Sequence, residues 1–121
     1  MMWLILLFLG TLYPDMVIEG VKTTGYCSHP PCVDIKWADG RTASNTIAQR
    51  GVCAADWRVF PKGAVLMIPG YGPCRVEDTG NPRFVNGLHL DLFFEDIQDA
   101  RQWGVQKKDI TVIYWPELTK K

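Results

Sequence analysis

Between residues 88 and 94 the chain alternates strictly. Leu88, Leu90, Leu92 and Phe94 occupy one set of positions, and His89, Asp91 and Phe93 occupy the other. A strand sends successive side chains to opposite faces, so this period predicts a strand with its leucine face in the core and His89 beside Asp91 on the outer face. Just upstream, Val76-Glu77-Asp78 runs into Thr79-Gly80, a turn expected to bring a second carboxylate back toward Asp91. Residues 21–26 read as a first strand, being rich in side chains that suit a pleated surface. A short buried strand is expected over 51–55. The apolar run 64–68, bounded by Pro61-Lys62-Gly63 and Pro69-Gly70, predicts an internal one. A last strand over 109–115 is stopped by Pro116.

The period changes between Phe94 and Gly104, where Ile97, Ala100 and Trp103 recur every three residues. Asp96 is placed to cap the start of a short amphipathic helix, Asp99 lies in its first turn, and Gly104 ends it. Trp37-Ala38-Asp39-Gly40 marks a turn through its Asp-Gly pair. The hydroxyl-rich stretch 41–48 that follows reads as a solvated loop. Several short strands with one helix in a chain of this size predict a mainly β, closed barrel rather than an open sheet.

With 121 residues the chain holds one domain, and its 13 basic and 13 acidic residues balance. That balance gives no electrostatic footprint for nucleic acid or for an anionic membrane surface. The first 13 residues carry no charge and fall short of the roughly 20 apolar residues that span a bilayer. They are expected to be the core of an export signal, with residues 1–20 a hydrophobic leader and 21–121 the barrel domain; a buried N-terminal strand or helix is the alternative, and membrane contact arises only if the leader stays uncleaved. Four cysteines in a short exported chain suggest two disulfides, and four allow three pairings. Cys27 and Cys32 flank a tight loop that one bridge would close, which leaves Cys53 for Cys74. Cys27, His29 and Cys32 are also ligand types at short spacing, but neither Cys53 nor Cys74 has a second ligand at the usual interval, so no metal site and no cofactor is expected.

Taken in order, Thr42-Ala43-Ser44, Ala55-Asp56, Phe60-Pro61-Lys62-Gly63, Ile68-Pro69-Gly70-Tyr71-Gly72, Val76-Glu77-Asp78-Thr79-Gly80, Leu90-Asp91-Leu92-Phe93-Phe94 and Trp103-Gly104 form a series that resembles the three-aspartate (3D) domain family. That family occurs in bacterial cell-wall proteins, among them the membrane-bound lytic transglycosylase A group and stationary-phase secreted proteins. The resemblance spans residues 24–115 and implies a six-stranded double-psi β-barrel with one or two short helices. It identifies Asp56, Asp78 and Asp91 as the signature aspartates, with Asp91 at the position that serves as acid and base. Thr42, Ser44, Tyr71, Gly80 and His89 are the candidate substrate-binding residues, His89 as a groove wall or hydrogen-bonding residue and Tyr71, like Trp37 and Trp57, as a sugar-stacking surface, although aromatic residues in a small domain usually fill its core. Three departures stand out: Asn45 where the family has Gly, Trp57 where Pro commonly follows the first aspartate, and a loop at 81–86 about two residues longer than usual.

The implied chemistry is coherent with these residue types. Cleaving a glycosidic bond needs a proton donor for the leaving oxygen, and ordinary hydrolases add a second carboxylate to handle water or the anomeric carbon. A lytic transglycosylase uses the sugar's own C6 hydroxyl, so one residue can give the proton and later take one back. Asp91 would then have to hold its proton well above the roughly 3.9 of a free Asp side chain, helped by burial and by neighbouring carboxylates. Asp56 and Asp78 each have a simpler reading as turn residues that bond nearby backbone N–H groups. The expectation is an exported protein acting on peptidoglycan glycan strands, in the periplasm, cell wall or medium, with no nucleic-acid or protein partner. Its two readings are a lytic transglycosylase and a non-catalytic glycan-binding module on the same barrel.

Overall fold

The computed structural model describes residues 16–27 and 41–116. Within them lie strands β1 (Val17–Tyr26), β2 (Val52–Ala54), β3 (Val65–Ile68), β4 (Gly72–Asp78), β5 (His89–Phe93) and β6 (Gln106–Tyr114), with helix α1 (Ile97–Trp103) between β5 and β6. The strands close in the order β1-β5-β2-β4-β3-β6. β1 with β5 and β2 with β4 pair in parallel, and the other neighbours are antiparallel. This is the six-stranded double-psi barrel with one short helix among the described residues. Closure removes the unpaired edges that an open sheet of this size would present.

Each strand gives its inward positions to one core: Val21, Leu66, Ile68, Val76, Leu90, Leu92, Ile110 and Val112, with Phe60 from the turn after β2. The two-residue spacing within each strand is the alternation that the sequence showed, and each such side chain contributes roughly 1.5–3 kcal/mol by leaving water. Cys53 and Cys74 form a disulfide that ties β2 to β4, with Cα atoms 5.9 Å apart, as expected. Cys27 is also disulfide-bonded, which removes it as a thiolate ligand; Cys32 and His29, like the Trp37–Gly40 turn, lie outside the described residues.

Helix α1 forms as its signals predict. The Asp96 side chain accepts a bond from the Gln98 N–H, and the Gly104 N–H donates to the Ala100 carbonyl with φ at 67°. The helix docks against β1 at Gly25, where an added Cβ would sit 2.9 Å from the Phe94 ring and 3.0 Å from the Ala100 oxygen. Trp103 Nε1 donates to Thr23 Oγ1 at 3.0 Å, and that buried hydroxyl donates to the Gln106 carbonyl at 2.6 Å.

The structure departs from the sequence expectation at four points. β1 starts at Val17 rather than Val21, because Val17 and Ile18 pair with Thr111 and Ile110 before a bulge at Gly20. Gly20 adopts a φ of 69° there, and its N–H donates to Asp109 Oδ1 at 3.0 Å. β6 begins at Gln106 rather than 109, since Thr23 and Lys22 extend the ladder to Gln106 and Lys107. Leu88, expected in the core, is 49% exposed; the strand proper begins at His89, after a turn at Gly87 in which the His89 N–H donates to the Gly87 carbonyl. The expected outer face of β5 is covered, with His89 only 6% and Phe93 2% exposed, because the Tyr26 ring meets Phe93 edge-on at 5.4 Å and the 81–86 loop lies over His89.

Candidate active site

β5 runs between β1 and β2, so Asp91 has two cross-strand neighbours, Thr24 on one side and Ala54 on the other. On its far side Ala54 is in register with Asp78 of β4. Two carboxyl-bearing residues thus flank one methyl side chain across three adjacent strands, with backbones roughly 10 Å apart from the usual strand spacing. A groove of about 480 Å³ opens over Asp91, lined by Lys22, Thr24, Tyr26, Arg83, Phe84 and His89.

Asp91 Oδ1 is 2.7 Å from Thr24 Oγ1, and no other hydrogen bond reaches its carboxyl from the described residues. Burial pushes its pKa up to about 6; the Thr24 bond works against that rise and the charge of Asp78 adds to it. The cause is physical: low-dielectric surroundings penalise the charged form, and a nearby carboxylate penalises it further. Tyr26 donates to Asp78 Oδ2 at 3.1 Å, and its phenol is pushed far above the ordinary tyrosine range by burial and by both aspartates. His89 is held at both ring nitrogens, Nε2 2.8 Å from Thr24 Oγ1 and Nδ1 2.8 Å from the Phe84 carbonyl oxygen. Burial lowers its pKa, the bond to the Phe84 carbonyl works against that fall, and the charge of Lys22 adds to it.

Asp78 is bonded all round. Its Oδ1 accepts from the Ala43 and Thr79 N–H groups at 3.0 and 2.9 Å, and its Oδ2 from Tyr26. The 41–48 loop is largely exposed, as expected of a solvated segment, and it is also docked on β4. Arg41 and Ile47 bridge its ends, Ser44 donates to the Glu77 carbonyl through both N–H and hydroxyl, and Thr46 Oγ1 donates to the Glu77 carboxylate. Thr42 is buried, and its hydroxyl accepts the Ser44 and Thr46 N–H bonds. Thr42 and Ser44 therefore build the support for Asp78. Asn45, in the place of a family glycine, takes a φ of 62°, a left-handed conformation that Asn tolerates better than most side chains.

Asp56 stands apart from this pair. Its carboxylate accepts from the Arg58 backbone N–H and guanidinium, Arg58 holds its pKa below the ordinary value, and its carbonyl closes the turn to Val59 and Phe60. Tyr71 is also withdrawn from a sugar-stacking position. It is buried edge-on against Phe94 and Trp103, its hydroxyl donates to the Phe93 carbonyl at 2.6 Å and accepts the Gly51 N–H, and its phenol is an element of the core. Gly80 is a turn residue at φ 65° whose Cβ would strike Val85 at 2.9 Å. Trp57 donates from Nε1 to the Asp78 carbonyl at 3.1 Å and so fixes the end of β4.

The longer loop is internally braced. Asn81 accepts from Arg83, Phe84 and Val85 N–H groups, and Asn86 donates to the Pro82 carbonyl. Its Phe84 carbonyl meets His89. Thr24, Tyr26 and Lys22 are the site residues that sequence reasoning missed. Lys22, Thr24 and Tyr26 alternate with Val21, Thr23 and Gly25, so the polar outer face of β1 was readable, but not the parallel register that lays it along β5.

Compared with known proteins, residues 51–115 match the family model of the 3D domain. The cell wall-binding protein YocH of Bacillus subtilis (strain 168) is 34% identical over 62 residues, which is 51% of this chain and 21% of YocH. Two crystal structures of MltA from Escherichia coli, one described as revealing a unique lytic transglycosylase fold, align with TM-scores of 0.49 at 18% and 17% identity. They cover 64% and 62% of this chain and 28% and 27% of theirs. The chain thus spans about a fifth to a quarter of the length of these relatives.

Proposed function

The chain belongs to the 3D domain family, and we propose from that membership and from the groove that it cleaves peptidoglycan glycan strands as a lytic transglycosylase, with Asp91 as the single acid and base. One observation carries this reading. Among the described residues, Asp91 is the one signature aspartate that keeps an oxygen without a hydrogen-bond partner, and burial pushes its pKa up to about 6, while Asp78 accepts from three donors and Asp56 is paired with Arg58. Two-carboxylate hydrolysis needs a second acid free to act on water or on the anomeric carbon. A mechanism that uses the substrate's own hydroxyl needs only one.

In that mechanism the Asp91 O–H proton passes to the departing glycosidic oxygen as its bond to the anomeric carbon breaks. The C6 hydroxyl of the muramoyl residue then bonds to that carbon, and its proton returns to Asp91, so the enzyme ends as it began. Asp78 and Tyr26 support the step by holding charge beside Asp91, which favours its protonated form. The Cys53–Cys74 bridge suits an oxidising, exported location.

A second reading, a glycan-binding module, is favoured by the Bacillus subtilis relative, a cell wall-binding protein. The test is incubation of the purified protein with peptidoglycan and mass analysis of what is released. Wild type should yield fragments ending in 1,6-anhydromuramic acid, and Asp91→Asn should bind glycan but release none. Reducing ends would mean that water is the nucleophile. Equal cutting by both proteins would overturn the assignment of Asp91, and binding without cutting by both would favour the module.

A further inference from the structure

The ring of His89 faces an acceptor at one nitrogen and a hydroxyl at the other. The Phe84 carbonyl at Nδ1 can only accept, so Nδ1 must carry a proton. In the neutral ring Nε2 is then bare and can only accept, and its partner is the Thr24 hydroxyl at 2.8 Å. The same hydroxyl lies 2.7 Å from Asp91 Oδ1, but it has one proton to give. When Thr24 donates to His89 it offers Asp91 a lone pair, which only a protonated carboxyl can use. When Asp91 is ionised, Thr24 is drawn to the carboxylate, and Nε2 is left buried without a donor, an arrangement that costs free energy.

We propose that Thr24 is a two-position hydroxyl switch set by His89: it donates to His89 while Asp91 holds its proton and turns to Asp91 when that proton has left. His89 is then a positioning residue that keeps Asp91 loaded, and the inference rests on the acid–base reading of Asp91 given above. The protons balance without reaching the imidazole. The Asp91 proton goes to the leaving oxygen, the Thr24 proton stays on Oγ1 and changes direction, and the proton returned from the C6 hydroxyl restores the first arrangement.

The surroundings favour the neutral ring that the switch needs. Lys22 on β1 disfavours an imidazolium, and Arg83 of the 81–86 loop lines the same groove as a second cation. Asp78 on β4 disfavours ionisation of Asp91, and the Tyr26 hydroxyl is turned to Asp78. The Thr24 hydrogen bond is the contact that opposes loading of Asp91. The Phe84 carbonyl that fixes the ring belongs to the longer loop, which gives that departure a specific task.

The test is NMR of the full chain labelled at histidine ring nitrogens and aspartate carboxyl carbons, titrated with pH. At neutral pH His89 should carry its proton on Nδ1 with Nε2 bare. The Nε2 resonance should inflect at the pH where the Asp91 carboxyl titrates, because the hydroxyl changes partner there. Asp91→Asn, which keeps an N–H donor toward Thr24 at every pH, should lose that inflection. His89→Phe removes the acceptor, so Thr24 should serve the carboxylate alone and the proton affinity of Asp91 should fall about tenfold, one pH unit. If that variant does not fold, the wild-type and Asp91→Asn titrations still decide. A proton on Nε2 with Nδ1 bare, or an Nε2 resonance flat through the Asp91 titration, overturns the switch. These readings need no substrate: a protein that shows the inflection but cuts no glycan supports the switch and refutes cleavage, and one that cuts with a flat resonance refutes the switch alone.

Discussion

Replacing Asp91 with Asn should stabilise the fold at alkaline pH and leave it unchanged in acid. The folded pKa of Asp91 stands at about 6 against an ordinary value of 3.8, so between those values the native state holds a proton that the unfolded chain has released. Stability therefore falls as pH rises through that window, and the loss is complete above about pH 6. Each pKa unit corresponds to about 1.4 kcal/mol, so the full displacement costs the wild type about 3 kcal/mol. Asn has nearly the same shape and does not titrate in this range. The advantage of Asp91→Asn over wild type should therefore grow by about 3 kcal/mol between pH 3.5 and pH 8, whatever constant offset the amide introduces. Urea unfolding of both proteins at pH 3.5, 5, 6 and 8 reads this difference directly, because every other titrating group is common to the two. A difference that stays flat with pH would refute the reasoning, as would one of opposite sign, the signature of a carboxylate whose pKa is lowered by a partner.

Three further outcomes test the scaffold. Replacing both Cys53 and Cys74 with Ala opens a bridge between residues 21 apart and should cost about 3 kcal/mol in urea unfolding; a loss under about 1 kcal/mol would show that the bridge constrains little. Gly25→Ala places a methyl against both the Phe94 ring and the Ala100 carbonyl, so it should cost roughly 1–3 kcal/mol by overpacking and speed amide exchange across α1. Unchanged exchange there would mean that the close approach is not what docks the helix. Asp78→Ala removes the acceptor of the Ala43 N–H and the Tyr26 hydroxyl; the 41–47 loop should become the first site of limited proteolysis, and continued resistance would show that Thr42, Ser44 and Glu77 hold it unaided.

Much of the barrel was legible because β5 obeys a strict local period at Leu90 and Leu92, because 64–68 is a continuous apolar run bounded by turns, and because the helix carries its own start and stop residues at Asp96 and Gly104. Asp91 was legible as the candidate that most needs an explanation, since a carboxylate inside an apolar strand has no turn to account for it, and the proposed acid role came from the family resemblance. Other site residues were not. Tyr71 could be read from the sequence as a sugar-stacking surface or as a core side chain, and the second holds because Phe94 and Trp103 from distant segments enclose its ring. Asp56, Thr42 and Ser44 share the family motif but serve turns and loop supports, which a motif does not distinguish from contact with substrate. Thr24 and Tyr26 belong to the site only through a parallel pairing, and nothing within either strand encodes which partner it will meet.

That pairing gives the acidity of one carboxyl a second meaning. Thr24 and Asp91 are 67 residues apart, and parallel strands cannot meet through a hairpin, so β1 must wait with its ladder unmade on both sides until β5 and β6 exist. The segment that matches the family model begins at residue 51 and so lacks β1. Such a fragment keeps both Asp78 and Asp91 but not Thr24, Tyr26 or the wall that keeps water from them. In chemical terms, the strand that closes the ring also completes the surroundings of Asp91, adding to its burial while supplying, in Thr24, the one hydroxyl that steadies its charged form.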